Sequence, residues 1–369
     1  MTAPTVSVAP SASSPAGRAP AVPPRSFARA AFDWLRRWGV SIGSFVSGLL
    51  TLFVFRRDLP HVGWIVGYVI LLWLLFAVLA LTRPALEASP HAAQPEPLGS
   101  GRGRRVRTAA DYAVQTLHHG LLLFMLPAYY ASTTFTSVNV VFLTVLAGLT
   151  LLATFDPWYR TLVHPRPWLG LTFFVVSVFA ALNVALPLIG VRPNVALLLA
   201  AWTATVAVTP AVHRGGRSWQ RALSLTCAGG VVAAALVYAG RAAIPPAPIS
   251  VARAAIAWDV DGGEPIDPLG GTIAAQKIRD NGGLVAYTAV YAPAGLRQPI
   301  AHVWRRNGRI VNVVTLTPVR GGRRQGFRTY SRKAAFPANP AGAWTVDVTT
   351  TSGQLIGRLR FRVTSTETP

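Results

Sequence analysis

The chain has 369 residues, 51% of them apolar and only 13% charged, yet its formal net charge is +22. Soluble chains carry about 25% charge, and here whole stretches of about 20 residues carry none, the pattern of a membrane protein rather than a soluble one. A single cysteine, Cys227, excludes an internal disulfide, and two methionines leave little for soft-metal chemistry.

Residues 1–37 read as a basic cytoplasmic tail, and Met1–Pro24 has too few large apolar side chains to fold, so disorder is expected there. The first apolar run starts near Trp38. Arg56, Arg57 and Asp58 follow it instead of a small-residue cleavage pattern, so signal-peptide processing is not expected. Seven spans are predicted in the helical region 38–245, at about 38–55, 62–81, 109–131, 138–155, 168–189, 194–208 and 222–244. Gly39/Gly43, Ser44/Gly48 and Gly63/Gly67 are small-residue pairs that permit close helix packing. Four prolines, Pro84, Pro90, Pro95 and Pro97, mark the second connection as a loop that ends in the basic run Leu98–Arg107. Thr108 and Asp111 have capping-box spacing at the head of the third span. The connection Asp156–Pro167 is interfacial in composition, and Arg241 can snorkel to the headgroups.

Counted by side, the tail and even-numbered connections carry fifteen arginines and the opposite connections three. Basic residues stay inside, so the N-terminus is expected in the cytoplasm and the C-terminal domain outside it.

After Pro245, Pro246 and Pro248 the pattern changes to strand-like alternation. Strands are predicted at Val251–Val260, Val285–Tyr291, Ile300–Arg306, Arg309–Leu316, Phe327–Lys333, Trp344–Thr350 and Leu355–Val363, with a hairpin turn at Asn307-Gly308. Seven short strands predict an all-β, immunoglobulin-like sandwich over 250–365 behind the membrane all-α bundle.

His302-Val303-Trp304, Gly308, Phe327–Lys333, Gly342-Ala343-Trp344 and Gly353–Gly357 resemble a bacterial domain of unknown function, the type numbered twenty-nine fourteen. The membrane block, with Ser44–Ser47 and Val54–Arg57, resembles its frequent N-terminal companion. The resemblance implies a multi-span bacterial inner-membrane protein with a periplasmic β domain, and it carries over no catalytic residue.

Two constellations are candidate sites. Asp111, Gln115 and His118 fall on one face of the third span, with His119 about 100° round. Intramembrane ionisable groups can serve as relays or ligand contacts, while a helix-terminal Asp and a hydrogen-bonded His are the plainer reading. The second is basic: Asn281–Val346 holds ten Arg and Lys and no acid. Arg305, Arg306, Arg309, Arg323, Arg324 and Arg328 within it are expected to bind an anionic partner, such as acidic lipid headgroups, an envelope polysaccharide or another envelope protein. His302 and Trp304 share a face and are expected in the core. The acids at Asp259–Asp267 read as a solvated turn, with the chance that they neutralise nearby arginines. No hydrolase, zinc, phosphate-loop or dinucleotide motif is present. No cofactor, catalytic residue or nucleic-acid partner is therefore expected. The predicted function is an envelope accessory or binding protein; the alternative is a small transporter or membrane enzyme using the third span.

Overall fold

The structure, a computed structural model, describes residues 66–67, 69–78, 101–163 and 165–365, with the backbone alone at 101–111 and 156. The expected disordered tail, the first span with its small-residue pairs, Gly63 and the loop up to residue 100 lie outside the described residues.

The helical part contains α1 (Val69–Val78), α2 (Gly101–Ser132), α3 (Val140–Thr154), α4 (Pro167–Leu188), α5 (Pro193–Val206), α6 (Thr209–Arg214) and α7 (Trp219–Ala239). Among the described residues, three helical stretches are long and apolar enough to cross a membrane: Pro167–Leu188, Pro193–Arg214 and Trp219–Ala239. Side-chain pairings fix the directions. Gln115 and His119 in the middle of α2 meet Ala153 and Thr154 at the end of α3, whereas Tyr129, near the end of α2, packs at a tilt against Phe142, near the start of α3. Those two helices are thus antiparallel. The Tyr129 hydroxyl donates to the Ala180 carbonyl, and His118 packs on Phe173, so α2 and α4 run parallel. Leu121, Leu122, Met125, Leu146, Phe173 and Phe174 close the centre, each at most 2% exposed.

Three local expectations need correction. The basic run is not wholly loop, because Gly101–Arg107 forms the first turns of α2. Arginine is a good helix former, and Pro97 is the last breaker before it. The helix therefore starts seven residues ahead of Thr108, and Asp111 is not in its first turn. Asp156–Pro167 is also more ordered than a loop: a short helix, Asp156–Trp158, runs into a π turn, Tyr159–Val163, tied by Thr161 Oγ1 to the Pro157 carbonyl. Finally, among the described residues the tight helix contact is at Gly230 of α7, where an added Cβ would lie 2.7 Å from Trp202 of α5, whereas Gly67 has no described neighbour within 4 Å.

The C-terminal part has twelve strands: β1 Ser250–Ala257, β2 Asp259–Asp261, β3 Glu264–Ile266, β4 Thr272–Ala274, β5 Leu284–Tyr291, β6 Arg297–Gln298, β7 Ile300–Arg306, β8 Arg309–Thr315, β9 Val319–Arg320, β10 Phe327–Lys333, β11 Gly342–Thr350 and β12 Leu355–Thr364. A short helix, α8 (Ala275–Asp280), follows β4. A three-stranded sheet (β1-β5-β10) and a five-stranded sheet (β4-β12-β11-β7-β8) share one core. Asn307 (φ 48°) and Gly308 (φ 83°) form the tight turn that joins β7 to β8, with both central residues in the left-handed region as a two-residue hairpin of this kind requires. Trp304 and Trp344 are at most 1% exposed. An aromatic side chain of this size buries about 150–250 Å², which favours folding by up to about 4–6 kcal/mol each.

The two parts are pinned together. The linker Ile244–Ile249 is buried. Arg241 Nε donates to the Ser352 carbonyl at 2.6 Å instead of snorkelling, because the β11–β12 turn sits over the end of α7. Gln354 Nε2 donates to the Ile244 carbonyl and Asn139 Nδ2 to that of Leu355, at 3.2 and 3.3 Å. Arg358 and Arg360 both reach the Thr136 carbonyl in the α2–α3 connection. Gly190, between α4 and α5, abuts the Gly295 carbonyl.

Candidate functional site

The helix-borne stripe is inside the bundle. Gln115, His118 and His119 are 5%, 2% and 6% exposed. Gln115 Nε2 donates to the Ala153 carbonyl at 3.1 Å, and His119 Nδ1 lies 3.0 Å from Thr154 Oγ1. Thr154 in turn donates back to Thr150, closing a polar seam between α2 and α3. Neither ring nitrogen of His118 makes a hydrogen bond of ordinary geometry, although the Val114 carbonyl one turn back is near. The side chain of Asp111 lies outside the described residues. A second polar contact, unforeseen in the sequence, ties α2 to α4: Asn183 Nδ2 donates to the Tyr129 hydroxyl at 3.0 Å.

The six arginines of the β domain do not form one patch. Arg305, Arg306 and Arg309 surround the β7–β8 turn. Arg323 and Arg324 lie in the connection before β10, beside the segment that leads into β7, since Gly321 and Gly322 donate to Leu296 and Ala292. Six residues of strand separate the two groups, or about 20 Å. Alternation along a strand reveals which face a residue takes, not which end of the domain it reaches. The end bearing Arg323 is the one pinned to the helices, because Thr350 of β11 pairs with Ile300 of β7, while Trp344 pairs with Arg306.

Acids outside the acid-free run neutralise part of it. Glu264 pairs with Arg253 at 2.7 Å and with Arg328 at 2.8 Å. Asp259 pairs with Arg332 at 2.5 Å. The Val260 N–H, and after it the Arg332 side chain, hold the Asp259 carboxyl below the usual range. Both acids come from the β2–β3 hairpin, whose Gly262 and Gly263 take positive φ. Asp347, 3% exposed, accepts from Arg305 Nε at 3.0 Å and from Arg358 Nε and Nη2 at 2.5 and 2.9 Å. Arg306 bonds the Ala341 carbonyl, and Arg323 lies 5.3 Å over the Phe327 ring. Sequence reading missed Asp347; only the register, which places it opposite Arg358, makes it visible.

Between the sheets lies a small polar hub. His302, fully buried, has Nε2 3.0 Å from Thr288 Oγ1 and Nδ1 2.9 Å from Ser331 Oγ, which also accepts from Trp304 Nε1 at 3.0 Å. Burial pushes the His302 pKa down to about 4, so the imidazole is neutral at pH 7. Lys333, 6% exposed, is also held below its ordinary value by burial, with its ammonium 5.5 Å from the Phe336 ring. Among the described residues no group of three metal-ligating side chains converges.

The molecule is thus a helical bundle with apolar candidate spans that rigidly carries a cationic two-sheet β domain. The chain belongs to the family described as "Family of unknown function (DUF5924)", which matches residues 25–286. Residues 297–363 match "Protein of unknown function (DUF2914)", the domain type that the C-terminal residues resemble. No curated protein and no solved structure matches the chain. The two matches meet inside one core: β1 and the first three residues of β5 fall in the first, and their sheet partner β10 falls in the second.

Proposed function

We propose that this protein is an accessory component of the bacterial envelope. In this reading seven helices cross the inner membrane, the N-terminus is cytoplasmic, and an immunoglobulin-like sandwich stands in the periplasm to bind an anionic partner. The observation that carries it is the outer surface of α7. Leu236, Val231 and Val232 are 68%, 63% and 59% exposed on a helix with charge only near its first turn. Such a surface is stable against lipid and not against water. The distribution of arginine sets the orientation.

Topology tests the reading. With Cys227 replaced by Ala, single cysteines at Ser100 and at the exposed Thr351 are challenged in intact cells with a thiol reagent that cannot cross the inner membrane. Label at 351 alone is expected. Label at 100 alone would invert the orientation and place the β domain in the cytoplasm.

One observation favours the alternative, a transporter or membrane enzyme acting through the third span. His118 is a buried imidazole without an ordinary hydrogen bond, which is costly unless something uses it. A His118→Leu chain that folds and supports growth like wild type would remove that support.

A further inference from the structure

Three acids of the β domain, Asp259, Glu264 and Asp347, are matched to Arg253, Arg305, Arg328, Arg332 and Arg358. Among the described residues no carboxylate pairs with Arg192, Arg297, Arg320 or Arg323, and all four are exposed. The fold brings these four to one level. Arg297 and Arg320 are directly opposite each other in the two-residue β6–β9 ladder. Like charges in that relation destabilise a strand pair unless an anion screens them. Arg323 follows three residues later, its guanidinium stacked over Phe327. Arg297 is two residues from Gly295, whose carbonyl would be 3.6 Å from a Cβ on Gly190, and Arg192 is two residues beyond Gly190.

Arg192 also fixes the height of the group. It lies in the four-residue connection between two candidate spans, one ending at Leu188 and the next starting at Pro193. A connection that short between two crossings has to sit at the bilayer surface. We propose that Arg192, Arg297, Arg320 and Arg323 form a site for the phosphate of anionic phospholipids in the leaflet beneath the β domain. Guanidinium groups bind phosphate through paired N–H donors, which gives geometry as well as attraction. Arg305, Arg306 and Arg309 face away from that surface and are not part of the site. The inference rests on the membrane reading above.

Hydrogen exchange of the full chain in lipid nanodiscs tests it, comparing phosphatidylcholine alone with phosphatidylcholine mixed with phosphatidylglycerol. Opening of residues 318–326 must break at least one arginine–headgroup attraction, so the anionic lipid is expected to slow exchange there by about fivefold. Segment 306–312 is expected to be indifferent. The effect should shrink with salt, vanish in R297Q/R320Q and persist in R306Q/R309Q. Equal exchange in both lipids, equal slowing at 306–312, or loss of the effect in R306Q/R309Q would overturn the site. Slowing by inorganic phosphate in pure phosphatidylcholine, equal to that of the anionic lipid, would assign it to a soluble anion and overturn the lipid. If alkaline carbonate strips the chain from native membranes, the membrane reading and the site fall together; if the chain stays embedded and the lipids act alike, only the site falls.

Discussion

His302 makes the β domain sensitive to acid in a calculable way. In the fold its imidazole is neutral, with a pKa near 4; in the unfolded chain it returns to 6.5. A histidine whose pKa is depressed on folding contributes fully above the unfolded value, and that contribution is lost as pH falls from 6.5 towards 4. For this pair of values the loss between pH 7 and pH 5 is about 2 kcal/mol, rising to about 3 kcal/mol at pH 4. Protonation would also require both Thr288 Oγ1 and Ser331 Oγ to accept from the ring, although Ser331 already accepts from Trp304 Nε1. The assay is hydrogen exchange of segments 300–306 and 344–350 in the detergent-solubilised full chain, corrected for intrinsic rates. Protection should fall about 30-fold between pH 7 and pH 5 in the wild type, the equivalent of about 2 kcal/mol. His302→Gln is less stable at pH 7 but should lose little more on acidification over this range. Parallel losses in both proteins would refute the reasoning and move the acid-sensitive group elsewhere.

Gly230→Val should push α7 away from α5, because the new Cβ meets the Trp202 ring and carbonyl; a loss of about 1–3 kcal/mol, read as a lower thermal midpoint in detergent, is expected. Asp347→Asn should cost about 1.5–3 kcal/mol and loosen β7 and β12, since it removes the charge that Arg305 and Arg358 share; unchanged exchange protection in both strands would count against it. The fragment 297–363 should stay unfolded by circular dichroism while 249–365 shows cooperative sheet, because the core shared by both sheets draws Ile256, Leu284, Ala286 and Val290 from outside the shorter piece.

Much of the β domain was legible in the sequence. The two strands around Asn307-Gly308 could be placed from turn chemistry, and the strand Phe327–Lys333 from alternation, since every second residue of that strand is buried. β4 could not: it is three residues long and pairs in parallel with β12, a contact across about ninety residues that no local pattern records. The dyad β6–β9 escaped for the same reason. In the helices, spacing put Gln115 and His118 on one face with His119 about 100° round, while their burial and their partners on α3 and α4 depended on packing that only the fold defines. The arginines were misgrouped because charge density along the chain is a one-dimensional quantity, and β7 carries one group to the far end of the domain. The start of α2 was missed because positive charge was read as loop, although arginine is at home in a helix.

The pinned mounting of the β domain makes it a ruler. A domain on a loose tether samples a cloud of heights and angles above its anchor. Here Arg241, Asn139 and Gln354 clamp the β11–β12 turn, and the linker itself is buried, so swivel is suppressed at the base. The Asn307-Gly308 tip is then held at a fixed standoff, about 20 Å beyond the pinned end of β7. A partner gripping Arg306 and Arg309 would be kept at that distance whatever its own length. Lengthening the linker at 246–248 with Gly and Ser would leave the standoff unchanged while the clamps hold, and cutting the Arg241 and Gln354 contacts as well would let the tip wander.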